Sequence, residues 1–184
     1  VTERFQINGV QISEDDFCNS LSEFLDIVND VNVSPSYFEL LIVYMYWYFE
    51  KQGVEYAVVE TGMGGLFDST NVVTRENKIC VITDIGLDHT KILGEKLEDI
   101  AAQKAGIIHE NNQVFLYEQT AEGMQAINNR SSEKSAKLKI IGPSNLSHSD
   151  IPEYQNRNFW LANAVVDFLS KRDNFKLEEI EKPN

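Results

Sequence analysis

Four short apolar runs, at residues 56–59, 79–83, 114–117 and 138–141, are separated by stretches with helical periodicity. Runs this short and this continuously apolar fit strands buried on both faces, which is the signature of a parallel sheet. Joining such strands takes right-handed crossovers through helices. The order therefore predicts an α/β fold: a mainly parallel sheet flanked by helices. The intervening helices fall at residues 97–108, 120–136 and 153–171. The last presents Phe159, Ala162, Val166 and Leu169 along one side. Residues 144–151 are expected to form the one long loop, and the charged tail from Asp173 to fray.

The first fifty residues follow another pattern. Residues 4–12 alternate about Asn8-Gly9, a hairpin signal because both turn residues tolerate positive φ. Ser13 precedes three carboxylates, Glu14, Asp15 and Asp16, as a capping hydroxyl followed by charges that suit a helix N-terminus. Phe17, Leu21, Phe24, Leu25 and Val28 then repeat at helical spacing. A second helix is expected to begin at Ser34-Pro35, where proline is tolerated in the first turn. Its LLIVYMYWYF body is apolar nearly all round and should be buried, and Gly53 should end it.

A chain of 184 residues, 42% hydrophobic, is long enough for a domain with a real core. The net charge of −13 argues against a nucleic-acid partner, which needs a basic face. No apolar run approaches the about 18 residues of a membrane span. The opening VTERFQ has no signal-peptide character and begins with Val, as expected of a piece of a longer protein. Cys18 and Cys80 match no metal or redox spacing. They read as small buried hydrophobes in a reducing, cytoplasmic setting.

Ligands of open α/β sheets bind beyond the carboxyl ends of the strands. Glu60 follows the run 56–59 directly; Asp84, Asp88 and His89 follow the run 79–83. Glu60 and His89 could converge there as a hard oxygen ligand and an imidazole. Mg²⁺ needs only one or two carboxylates besides phosphate oxygens and water. Equally, Glu60 could cap a loop and His89 pack at a helix start. Gly62-Met63-Gly64-Gly65 permits a close backbone approach to a ligand or a sharp turn, with Asp68, Thr70 and Asn71 as polar groups able to organise it. Lys104, in the apolar segment AAQKAGI, either snorkels to the surface or turns its charge toward a phosphate.

Taken together these motifs resemble one family. ETGMGG-x₂-DSTN, then DIGLDHT, then QKAGI resembles the central ATPase domain of the Mur ligase superfamily, and most of all its folylpolyglutamate synthase/dihydrofolate synthase branch. ERFQING at residues 3–9 resembles that branch's ERxxxNG hairpin, and SYFE at 36–39 its [ST]xFE helix start. YQNRN at 154–158 resembles HQxxNA, with Tyr154 and Phe159 in place of His and Ala. The resemblance implies an ATP-dependent ligase. ATP would phosphorylate a pteroate or folate carboxylate, and the glutamate amino group would attack the acyl phosphate. It implies Glu60 and His89 as Mg²⁺ ligands. Lys104 matches a lysine that is often carbamylated, a change that turns a cation into an anion able to hold a second Mg²⁺. Asn158 and Gln155 match residues near the nucleotide base.

The departures define what is expected to be missing. No Gly-Lys phosphate loop occurs in the chain; the family's GTNGKGS-type loop and SPHL segment would lie upstream of Glu3. The small C-terminal domain would begin after about Pro183. Leu66 replaces the arginine common in GGRxDxTN. Residues 1–172 are thus expected to be part of the central domain, truncated at its phosphate-loop unit, with 173–184 a tail toward a further domain. The resemblance implies a monomeric full-length enzyme acting on ATP, glutamate and a folate or dihydropteroate, with no nucleic-acid or membrane partner. It also implies that this stretch alone would be inactive. Two other readings are a peptidoglycan-type Mur ligase, against which ERFQING and SYFE speak, and a non-catalytic interaction module with a degenerate nucleotide-binding fold.

Overall fold

The computed structural model describes residues 1–142 and 152–176, so the expected loop at 144–151 and the end of the tail lie outside the described residues. The chain divides into two compact units, Val1–Gly62 and Met63–Asn184.

In the first unit, β1 (Gln6–Ile7) and β2 (Val10–Gln11) form the expected antiparallel hairpin. Asn8 and Gly9, at φ 53° and 75°, make the turn with both residues in the left-handed region. α1 (Glu14–Asn29) starts at Ser13, whose hydroxyl accepts from the Asp16 amide at 3.0 Å. α2 (Tyr37–Lys51) starts at Ser36 rather than at Ser34-Pro35. The reason is a capping box: the Ser36 hydroxyl accepts from the Glu39 amide at 3.3 Å, and the Glu39 carboxylate accepts from the Ser36 amide at 2.7 Å. α2 buries one face, with Ile42, Tyr44, Met45 and Tyr48, and leaves Val43 54% exposed, so it is not buried all round. Tyr44 is the centre of this core. Phe5, Phe17 and Phe24 stand edge-on to its ring at 5.4–5.6 Å, and its hydroxyl meets Ser20 Oγ at 2.7 Å.

The run 56–59 corrects the sequence reading. It is not a buried parallel strand: among the described residues it belongs to no sheet, and Val58 is 98% exposed. An apolar run becomes a parallel strand only when ladder neighbours and helices cover it.

In the second unit, β3 (Ile79–Ile82), β4 (Gln113–Tyr117) and β5 (Lys137–Ile141) form a parallel sheet in the order β3-β4-β5, with Cys80 opposite Val114 and Val114 opposite Leu138. The helices are α3 (Thr90–Leu93), α4 (Leu97–Ala105), α5 (Ala121–Glu133) and α6 (Glu153–Asp173). On one face of the sheet Cys80, Ile82, Val114 and Leu116 pack with Ile100, Ala101, Ala105, Ile108 and Ile127 of the α4–α5 layer. On the other face Phe115 and Tyr117 pack with Leu161, Ala164, Val165 and Phe168 of α6. Both faces are therefore covered, as a parallel sheet requires. The contacting stripe of α6 is not the one predicted, for Ala162 is exposed. α3 was not foreseen, and α4 ends at Ala105, short of residue 108. Cys80 is buried, but Cys18 is exposed, contrary to its reading as a buried hydrophobe. Among the described residues no helix is long and apolar enough to cross a membrane.

Candidate active site

The glycine loop, α3 and the end of α4 form one assembly in the second unit. Asp68 organises the loop: its carboxylate accepts from the Met63 amide at 2.8 Å, the Thr70 amide at 3.0 Å and the Thr70 hydroxyl at 2.5 Å. Gly64 is at φ 66°, and a Cβ there would lie 2.7 Å from Leu93 of α3. At Gly65 a Cβ would lie 2.7 Å from the Gln103 carbonyl of α4. The Leu66 amide donates to that same carbonyl at 2.8 Å. The glycines are needed for close approach to protein backbone and side chains, and the DSTN polar groups hold the approach in place.

His89 opens α3 from the left-handed region, at φ 50°, a position few non-glycine residues adopt. Its amide donates to Asp88 Oδ1 at 2.8 Å, and its Nε2 lies 3.5 Å from Asp88 Oδ2. The imidazole is half exposed and available to a ligand. Lys104 lies in the last turn of α4 and is partly buried. Glu60 belongs to the first unit. It follows the run 56–59, is exposed, and lines a cleft of about 1080 Å³ with Arg4, Phe38, Met45, Phe49 and Tyr56.

Two features at the carboxyl edge of the sheet escaped the sequence reading. Gln119 staples the strand ends: its Oε1 accepts from the Ile85 amide at 3.0 Å, and its Nε2 donates to the carbonyls of Tyr117 at 2.9 Å and Thr83 at 3.3 Å. Arg157 of α6 pairs with Asp84 at 2.6 Å and lies over the Tyr117 ring at 4.6 Å, while the Tyr117 hydroxyl donates to the Arg157 carbonyl. Nothing in the local sequence marked a glutamine 34 residues from its partner amide. The Arg157 pair docks the first turns of α6 at the sheet edge. Gln155 and Asn158 are both exposed on those turns, and Gln155 Nε2 donates to the Tyr154 hydroxyl at 3.2 Å.

Among the described residues no three His, Cys, Asp or Glu side chains gather into a metal cage. Glu60 is an exposed carboxylate of the first unit, and His89 a half-exposed imidazole of the second, with the Asp88 carboxylate beside it.

The Mur ligase middle domain matches residues 36–177, and the chain belongs to that family. It is 36% identical over 150 residues to the probable folylpolyglutamate synthase of Schizosaccharomyces pombe, covering 78% of this chain and 29% of that protein. It is 36% identical over 144 residues to the dihydrofolate synthase/folylpolyglutamate synthase of Bacillus subtilis, covering 76% and 33%. Among solved structures, an FPGS–AMPPCP complex superposes with a TM-score of 0.82 at 25% identity, over 96% of this chain and 51% of that one. An FPGS–AMPPCP–folate complex superposes at 0.80 and 25% identity, over 97% and 50%. The chain spans about a third of the length of these curated relatives and about half that of the solved ones.

Proposed function

We propose that the full-length protein carrying this chain is an ATP-dependent carboxylate–amine ligase that joins glutamate to a folate or dihydropteroate through an acyl phosphate. One observation carries the reading: residues 36–177 match the Mur ligase middle domain, and 97% of the chain superposes on a folylpolyglutamate synthase that binds AMPPCP and folate.

In this reading Glu60 and His89 hold Mg²⁺, which when bound neutralises charge spreading over the phosphoryl oxygens. The Asp68-ordered loop and α4 carry Lys104 to the reacting carboxylate, either as a cation or carbamylated. Gln155 and Asn158 contact the nucleotide base from α6. Residues 1–172 are then part of the central domain, and 173–184 a connecting tail. The enzyme works as a cytoplasmic monomer on small molecules, without a nucleic-acid partner.

The test is an assay of the full-length protein with ATP, Mg²⁺, labelled glutamate and, in separate arms, dihydropteroate, tetrahydrofolate and a UDP-muramyl acceptor. The expected result is glutamate addition to a folate-type acceptor with stoichiometric ADP. Turnover on the UDP-muramyl acceptor alone, or none in any arm, overturns the reading. The 184-residue chain assayed alone is expected to be inactive.

A further inference from the structure

The turn that closes α4 is held from three directions. The last carbonyls of α4, those of residues 102–105, already accept from the amides of Gly106, Ile107 and Ile108, and the carbonyls of the turn that follows would ordinarily be left to water. Here three successive carbonyls each receive a side-chain donor from a different segment. Asn71 Nδ2 donates to the Gly106 carbonyl at 3.1 Å, Lys78 Nζ to that of Ile107 at 2.8 Å, and Arg130 Nε to that of Ile108 at 3.1 Å. Asn71 closes the DSTN loop, Lys78 leads into β3, and Arg130 lies on α5. Two of the three donors are cations placed at the negative end of the helix dipole.

Two of the donors are themselves fixed. Asn71 Nδ2 also donates to the Leu66 carbonyl at 3.2 Å, which leaves its Oδ1 to accept from His109 Nε2 at 2.9 Å. Arg130 is braced by Glu133 at 3.0 Å. The Cys80 thiol joins Lys78 on the Ile107 carbonyl, at 3.3 Å. Burying part of an ammonium group costs desolvation that a helix end does not by itself require. The turn so held begins two residues after Lys104.

We propose that Asn71, Lys78 and Arg130 are positioning residues for Lys104: they form a three-point mount that fixes the turn at residues 106–108 and with it the last turn of α4. This rests on the role proposed above for Lys104. The mount acts on Lys104 through backbone carbonyls, so its effect falls on the chemical step and not on nucleotide binding.

The experiment uses the full-length enzyme with Lys78→Met, Lys78→Arg, Asn71→Ser and Lys104→Ala, and reads kcat, KM for ATP and amide hydrogen exchange over residues 103–108. Lys78→Met is expected to speed exchange there and to lower kcat by about tenfold or more, with KM for ATP little changed. Lys78→Arg is expected to recover most of the lost kcat. If Lys78→Met fails to fold, the milder Asn71→Ser carries the same expectation. Faster exchange with parental kcat overturns the proposal, because the mount is then structural only; so does unchanged exchange. Lys104→Ala is the separate arm. Parental kcat in that variant shows that the role given to Lys104 is wrong, and the positioning proposal falls with it, whatever the exchange data say of the mount.

Discussion

Gly106 faces Leu66 so closely that a Cβ added to Gly106 would lie 2.4 Å from the Leu66 Cβ and 2.6 Å from its Cα. The end of α4 and the glycine loop are thus in backbone contact, and only a residue without a side chain fits. Gly106→Ala is expected to destabilise the chain by about 1–3 kcal/mol, as overpacking does. Thermal unfolding followed by circular dichroism measures this. An unchanged midpoint would show that the loop moves aside freely.

Tyr44 contributes to the first unit through both its ring and its hydroxyl. Ser20 Oγ already donates to the Asp16 carbonyl at 2.5 Å, so the Tyr44 hydroxyl is the donor to Ser20. Tyr44→Phe keeps the ring and is expected to cost about 1 kcal/mol. Tyr44→Ala empties the centre of the aromatic cluster and is expected to cost about 3–5 kcal/mol. Denaturant titration of both variants separates the two contributions; equal losses would place all of the effect in the hydroxyl.

His109 gives a pH dependence of known sign. Burial first, then Lys78, Arg130 and Lys134, hold its imidazole below the ordinary value of 6.5, with Glu110 opposing. The unfolded chain therefore binds more protons than the folded one just below pH 6.5, and stability rises with pH through that window. The contribution is complete above it and is lost as the pH falls toward the lowered folded value. His109→Gln removes the titration, so its stability profile should be flatter than the parent's between about pH 5 and 7. Parallel profiles would assign the slope to other groups.

Glu60 bears on the proposed metal site. In the full-length enzyme Glu60→Gln keeps the size of the side chain but removes the charge. It is expected to raise the Mg²⁺ concentration needed for half-maximal rate and to lower kcat by several kcal/mol of transition-state stabilisation, about a thousandfold. A Mg²⁺ titration of initial rates reads both. Parental rate and Mg²⁺ dependence in the variant would remove Glu60 from the site.

What could be read in the sequence was local. The Asn8-Gly9 hairpin, the Ser13 cap and three of the four apolar runs are where they were expected, because each depends on residues within a few positions of one another. The Ser36 start of α2 was also legible, in the S-x-x-E spacing to Glu39, although the neighbouring proline drew the boundary two residues early. The run 56–59 misled because apolar composition states a wish for burial, while a ladder needs a partner strand that composition does not supply. The motifs ETGMGG-x₂-DSTN, DIGLDHT and QKAGI marked the family, but gave no hint of how they touch.

The sequence by itself determined the α/β class, the hairpin, the Ser13 cap and most of the element types, since caps, turns and periodicity act over a few residues, whereas Gln155 and Asn158 were marked by the family resemblance alone. Only the tertiary structure decided which stripe of α6 meets the sheet, that Gln119 staples β3 to β4, and that Asn71, Lys78 and Arg130 converge on one turn. Those contacts join residues 35, 29 and 22 positions apart for the three donors. Each pairing is set by where folding brings a spare carbonyl within reach of a donor, and no local pattern records that.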